Sequence, residues 1–211
     1  MRGLRYLIVF TAIVGLTLAV PGVRQALLRL AGHALVAEDP LEGVDAIVVA
    51  VDADGAGVLE AADLVRQGIS TRVAVFADPP STTDRELLRR GVRYHDEAAF
   101  SVEQLRALGV DSVEVIPRDV VGTNDEAAAL PSWCAVKGYR SVLLVTTADH
   151  SRRARRVLQR GMQHSGVTVL VRASRYSEFE SDAWWQTRAG IRIELVESEK
   201  LLLDLVSHPI S

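Results

Sequence analysis

A doubly wound α/β domain, built on a mainly parallel five-stranded sheet with helices on both faces, is predicted by three observations. Five short apolar runs are continuous rather than alternating, as strands covered on both faces require. Helical patterns fill the intervals between them, giving the order βαβααβαβαβα. Four of those helical stretches close on a glycine, at Gly68, Gly91, Gly109 and Gly138, where a chain leaving a helix favours a left-handed residue.

The amino terminus opens with Arg2 and Arg5 and runs apolar to Val20, closed by Pro21 and Gly22. Counted from Leu4 the stretch holds 17 residues, the lower limit for a spanning helix, and Pro21 spoils the small-residue cleavage site at Thr17-Leu18-Ala19. Residues 1–22 are therefore expected to be an uncleaved membrane anchor. Residues 23–38 carry Leu27, Leu28, Leu30 and Leu35 at amphipathic spacing and are expected to form a linker lying along the membrane surface. Arg2, Arg5 and the amino group face Arg24 and Arg29 across the apolar segment, which favours an inside amino terminus and an extracytoplasmic domain.

Residues 39–211 suffice for one domain with a real core, and no linker divides them. Strands are expected over 46–51, 73–76, 112–116, 141–145 and 167–171. Helices are expected over 58–67, 84–90, 102–108, 124–136 and 151–163, with a last apolar helix over 194–206 packing on the sheet through Leu195, Leu201, Leu202, Leu203 and Leu205. Capping boxes are read at Thr83 with Glu86, Ser101 with Gln104, and Thr123 with Glu126. A formal net charge of -3 excludes a general nucleic-acid binder. The single cysteine, Cys134, has no internal partner and reads as a buried structural thiol.

Chemistry concentrates after the fourth strand. The sequence Thr146-Thr-Ala-Asp-His-Ser-Arg-Arg153 runs from an apolar strand through a polar turn into a basic helix, the layout of a ligand site at the carboxyl edge of a parallel sheet. His150 is the candidate acid or base, and Arg153, three residues on, shares its side of the helix. With Thr146, Thr147 and the helix start, it points to a polar or anionic small-molecule ligand. Arg152, Arg155 and Arg156 read as a solvated face. Thr123, Asn124 and Glu126 open the preceding helix, either as a capping box or as contacts to the same ligand, with Glu126 orienting it. Glu197 and Lys200, at i and i+3, form a helix ion pair that also suits a site lining. No second His or Cys stands at zinc-ligand spacing, so no metal site is assigned, and the cofactor is unknown.

The first strand ends in Asp52-Ala-Asp54-Gly55-Ala-Gly57. An apolar strand followed by Asp-x-Asp-Gly resembles the nucleophile loop of haloacid-dehalogenase-type phosphatases, with Asp52 as nucleophile and Thr146 on the phosphate. The carboxylates such enzymes place after a late strand for Mg²⁺ are missing after Val171. Gly55-x-Gly57 with Asp78 makes a partial dinucleotide fingerprint, but Glu60 holds the third glycine position and would oppose a pyrophosphate. Ordinary turn chemistry explains these aspartates equally well.

Taken in order, Asp45-Ala-Ile-Val-Val49, Gly122-Thr-Asn-Asp-Glu126, Val145-Thr-Thr-Ala-Asp-His-Ser-Arg-Arg-Ala154 and Glu197-Ser-Glu-Lys200 resemble the YdcF/SanA/ElyC-like family over about residues 39–206. That resemblance implies a Rossmann-like domain tethered to the bacterial inner membrane, its soluble part in the periplasm. It also implies a role in envelope barrier function and in peptidoglycan or surface-polysaccharide biogenesis. A soluble branch of the family binds S-adenosylmethionine, which adds a nucleotide-like ligand or a non-catalytic scaffold as alternatives. Carried onto this chain, the pocket would comprise Thr123, Asn124, Glu126, Thr146, Thr147, His150, Arg153, Glu197 and Lys200. The chain departs from the family by having Asp52 and Asp54 where glycines are common, and Ala77-Asp-Pro-Pro80 where a Ser-Gly-Gly turn is common. The expected role is therefore the binding or processing of a polar, phosphorylated or lipid-linked glycan precursor at the envelope.

Overall fold

A computed structural model describes residues 6, 19–77, 79–94, 96–117 and 122–209. Most of the expected anchor, and Asp78, lie outside the described residues. The first described helix, α1 (Pro21–Leu35), is followed by β1 (Ala46–Val49), a 3-10 turn at Val51–Ala53, α2 (Asp54–Arg66) and β2 (Arg72–Phe76). Two helices, α3 (Thr82–Arg89) and α4 (Glu97–Ala107), lead to the edge strand β3 (Ser112–Ile116). The chain then forms α5 (Thr123–Lys137), β4 (Ser141–Thr146), α6 (Ser151–Met162), β5 (Thr168–Ala173), a 3-10 turn at Trp184–Gln186 and α7 (Arg188–Ser207).

All five strands are parallel and lie in the order β3-β2-β1-β4-β5. This is the doubly wound, Rossmann-like arrangement. The central strands β1 and β4 are buried nearly throughout, and the edges β3 and β5 are only partly so. That gradient is why Ala46 to Val49 and Val142 to Val145 read as unbroken apolar runs. Connections run outward from β1 to β2 and β3, and then α5 carries the chain back over two strands to β4. Helices α2 and α4 pack together, as do α5 and α6, on opposite faces as right-handed crossovers dictate. The α5–α6 contact is close: a Cβ on Gly161 would lie 2.7 Å from the Ala127 carbonyl oxygen. Gly57 plays the same part for α2, where a Cβ would meet Val49 of β1 at 2.7 Å.

The four helix-stop glycines all have positive φ, between 71° and 87°. The caps differ from expectation. Ser81 with Asp84, not Thr83 with Glu86, makes the capping box of α3. Asp96 caps α4 five residues before Ser101, which is therefore a helix-interior residue. Thr123 is the first residue of α5 rather than its cap, and its hydroxyl points to another helix.

The carboxyl end of the chain also departs from its pattern. Thr187 accepts a hydrogen bond from the Gly190 N–H and starts α7 six residues before the apolar periodicity begins. The helix packs on α1, α6 and the Trp184 turn through Gly190, Glu194, Glu197 and Leu201, spaced i, i+4, i+7 and i+11. Of the five leucines expected to pack, Leu201 is buried, whereas Leu195, Leu202 and Leu203 are more than half exposed and face outward. The buried stripe instead carries two carboxylates.

Helix α1 is docked rather than free. Leu35 joins Phe179 and Leu201 in a second small core, and the Trp184 indole N–H donates to the Leu28 carbonyl at 2.7 Å. Gly32 permits this approach, since a Cβ there would lie 2.3 Å from the Ser181 carbonyl oxygen. Trp184 and Trp185 are both half-buried, stacked edge to face. The arginines read as a solvated face act as clamps. Arg152 donates to the Ala34 and Val36 carbonyls at 2.5 and 2.7 Å, capping the end of α1. Arg155 pairs with Asp39 at 2.6 Å, and Arg156 and Arg160 both grip Asp204 of α7. Helical periodicity shows that these side chains leave the core but not that another helix lies above them.

Candidate functional site

Reversal of strand order at β1 and β4 opens a crevice above their carboxyl ends, the position where open α/β sheets hold ligands. A cleft of ≈ 680 Å³ lies there, lined by the Asp52–Ala56 turn, Thr123, the Thr147–Arg153 segment, the Tyr176–Phe179 loop and α7.

Four side chains, from three helices and the turn before α6, close a ring on one wall. The His150 Nδ1 lies 3.2 Å from Glu197 Oε2, and Nε2 lies 3.3 Å from Thr123 Oγ. Arg153 donates through Nε to Glu197 at 3.1 Å and through a terminal nitrogen to Thr123 at 3.4 Å. Lys200 holds the other Glu197 oxygen at 2.6 Å. With the imidazole neutral, one proton assignment satisfies every member: Thr123 accepts from Arg153 on one lone pair and donates its own proton to Nε2, while Nδ1–H donates to Glu197. His150 and Glu197 are buried, yet both border the cleft. Burial opposes ionisation of Glu197, but hydrogen bonds from His150, Lys200 and Arg153 outweigh it and hold the carboxyl well below its usual value.

The opposite wall is acidic. Thr146 donates to Asp52 at 3.1 Å and Thr147 donates to it at 2.9 Å. These two hydroxyls, expected to hold an anion, are thus occupied by the protein's own carboxylate. The same contact takes Thr146 away from the phosphate role of the dehalogenase-type reading. Asp54 and Glu178 add two more acids, and Asp54 has φ 41° and ψ -138°, a backbone conformation rare for any residue but glycine. Asp149, between the walls, is half-buried; burial raises its pKa, helped by Glu197 and Asp52, against hydrogen bonds from its own backbone and Thr147. Among the described residues no group of three His, Cys, Asp or Glu could hold a metal ion.

The sequence-predicted residues divide three ways. Asp52, Thr123, Thr147, His150, Arg153, Glu197 and Lys200 line the cleft. Thr146 is fully buried beneath it. Glu126 is buried as well, and its Oε1 accepts from the Val51 N–H at 3.2 Å, so it braces the turn that presents Asp52. Asn124 is exposed and faces a separate groove with Pro131 and His208. The α5 start meets the β4 loop because the crossover helix passes above the strand reversal, not because β3 and β4 are neighbours. Asp45, the first residue of the resemblance, lies at the amino edge of the sheet, where it accepts from the Arg140 and Ser141 N–H groups at 2.7 and 3.0 Å. These bonds lower its pKa.

Glu60, expected to oppose a pyrophosphate, turns to β5 and pairs with Arg172 at 3.0 Å. Cys134 is fully buried, and desolvation pushes its thiol up to about 11. Asp149 and Tyr176 went unassigned in the sequence, although both lie after strands that end at this crevice; position after β4 and β5 was the available signal.

No family model matches the chain, and no curated protein matches it. Among solved structures, a mycobacterial quinone oxidoreductase aligns over 87% of this chain and 52% of that chain, at 13% identity and a TM-score of 0.33. The chain spans about half the length of that structure, and an overlap this small carries nothing about the site.

Proposed function

We propose that this is a membrane-anchored, extracytoplasmic protein of the YdcF/SanA/ElyC-like kind, serving envelope biogenesis or barrier maintenance by binding or processing a polar or phosphorylated glycan precursor. The observation that carries the reading is the two-sided cleft at the strand reversal. Its acidic wall offers carboxylate acceptors for sugar hydroxyls, and the Arg153 and Lys200 side offers donors and positive charge for an anionic substituent. His150, fixed by Glu197, is the group able to move a proton between them.

Support for the anchor comes from the apolar run over residues 4–20 and from the surface of α1. Val20, at its N-cap, and Val23, Leu27 and Leu30, along its first three turns, are exposed apolar residues. Among the described residues no helix is long and apolar enough to cross a membrane, so the anchor rests on the segment before α1. The glycine-favouring backbone at Asp54 supports the family resemblance, since relatives commonly have glycine there.

A second reading, an S-adenosylmethionine-like ligand, is favoured by the acidic wall alone: a sulfonium and an ammonium group would suit Asp52 and Asp149. Thermal-shift measurements on the full chain in detergent separate the two. Sugar phosphates and nucleotide sugars are expected to raise the melting temperature, with the shift lost in His150→Ala. A shift with S-adenosylmethionine alone, abolished by Asp52→Asn, would replace the glycan reading with the second one.

A further inference from the structure

Thr123 stands where a nucleophile would. We infer that Thr123, His150 and Glu197 form a hydroxyl–imidazole–carboxylate relay that hydrolyses an O-acyl ester carried on a polyhydroxyl ligand such as a glycan; this rests on the cleft reading above and names its substrate class. The distances, 3.3 Å from Oγ to Nε2 and 3.2 Å from Nδ1 to the carboxylate, are those of a nucleophile held by its base and a base held by its orienter. The proton assignment of the neutral imidazole is also the reactive one, because it leaves Nε2 unprotonated and receiving the Thr123 proton. Thr123 is half-buried on the cleft wall, open to a ligand.

The class of electrophile is set by charge. Asp52, Asp54, Asp149 and Glu178 share the cleft with the relay, and a neutral ester carbonyl suffers no repulsion from them. In the first step Thr123 Oγ bonds to the ester carbonyl carbon as its proton passes to Nε2. The tetrahedral oxyanion forms beside the Arg153 guanidinium, 3.4 Å from Oγ. The carbon–oxygen bond to the sugar breaks, and its oxygen takes the proton from Nε2. Water then attacks the acyl-threonine, gives a proton to Nε2, and releases the carboxylic acid as Oγ recovers that proton. Glu197 remains ionised throughout, and water is the sole co-reactant.

The test uses the full chain in detergent, labelled with a fluorophosphonate and supplied in parallel with 4-nitrophenyl acetate. Expected are covalent phosphonylation mapped by peptide mass to Thr123, retained in Thr123→Ser, lost in Thr123→Val, and slowed about 10²-fold or more in His150→Ala. Ester hydrolysis should follow the same ranking. Melting curves confirm that each variant is folded, and Thr123→Ser keeps the test alive where Thr123→Val does not fold. Label absent from Thr123, or undiminished in His150→Ala, overturns the relay. A glycan-induced thermal shift without any label removes the nucleophile and leaves the cleft reading standing; label at Thr123 without any glycan shift does the reverse.

Discussion

His150 and Glu197, 47 residues apart, meet through a 3.2 Å hydrogen bond although neither shows more than a sliver of surface. Glu197 is also bound by Arg153 and Lys200, which makes it the common acceptor of the cleft wall.

Replacing that acceptor tests its weight. Glu197→Gln leaves Arg153 and Lys200 without a countercharge and should destabilise the protein by about 3 kcal/mol near neutral pH. Because the folded carboxyl titrates below its ordinary value, the stabilisation is fully present above the unfolded pKa and is lost as pH falls through the folded one. Denaturant curves of the two proteins should therefore converge in acid, and a constant gap from pH 3 to 8 would contradict the assignment.

Glu194, one turn earlier on the same stripe, has the opposite sign. Burial raises its pKa, with Asp149 adding to the effect against a hydrogen bond from Ser198, and its Oε2 lacks a partner among the described residues. Wild type is penalised above the raised pKa and unpenalised below the unfolded one. Glu194→Gln should be the more stable protein at pH 8 by about 1 kcal/mol and no better than wild type at pH 4.

Asp54 holds a backbone shape that glycine adopts without cost. Asp54→Gly should be more stable than Asp54→Ala by about 1 kcal/mol, the reverse of their order in a helix interior, and Asp54→Val should destabilise by about 2 kcal/mol. Calorimetry on these variants measures the strain.

The Gly161–Ala127 contact positions half of the ring, because it sets how near α5 comes to α6. Gly161→Val should cost about 2 kcal/mol and move Thr123 away from His150. Fluorophosphonate labelling should fall more steeply than stability does; labelling that merely tracks the folded fraction would separate the two.

Strand positions, helix-stop glycines and the β4 motif were legible because each is written within a few neighbouring residues. Ala46 to Val49 declares a doubly covered strand by itself, and Gly138 a helix end. The closed ring was not legible as a ring. Thr123, His150 and Glu197 were each singled out, but their meeting depends on α5 crossing two strands and on α7 offering its carboxylates to the interior. Apolar periodicity misled at α7 for the same reason: Leu195 and Leu202 form the more hydrophobic face, and the protein buries the charged one against Arg153 and His150. Arg152 was misread because the carbonyls it caps belong to a helix more than a hundred residues away.

That last contact sets a length. Arg152 secures the end of α1 while its neighbour Arg153 secures the cleft, so helix and cleft behave as one rigid piece. With 15 residues in α1, the span from Pro21 to Leu35 is about 22 Å. The helix is thus fixed on the domain rather than a swinging leash, so residue 20 keeps one distance and one direction from the cleft.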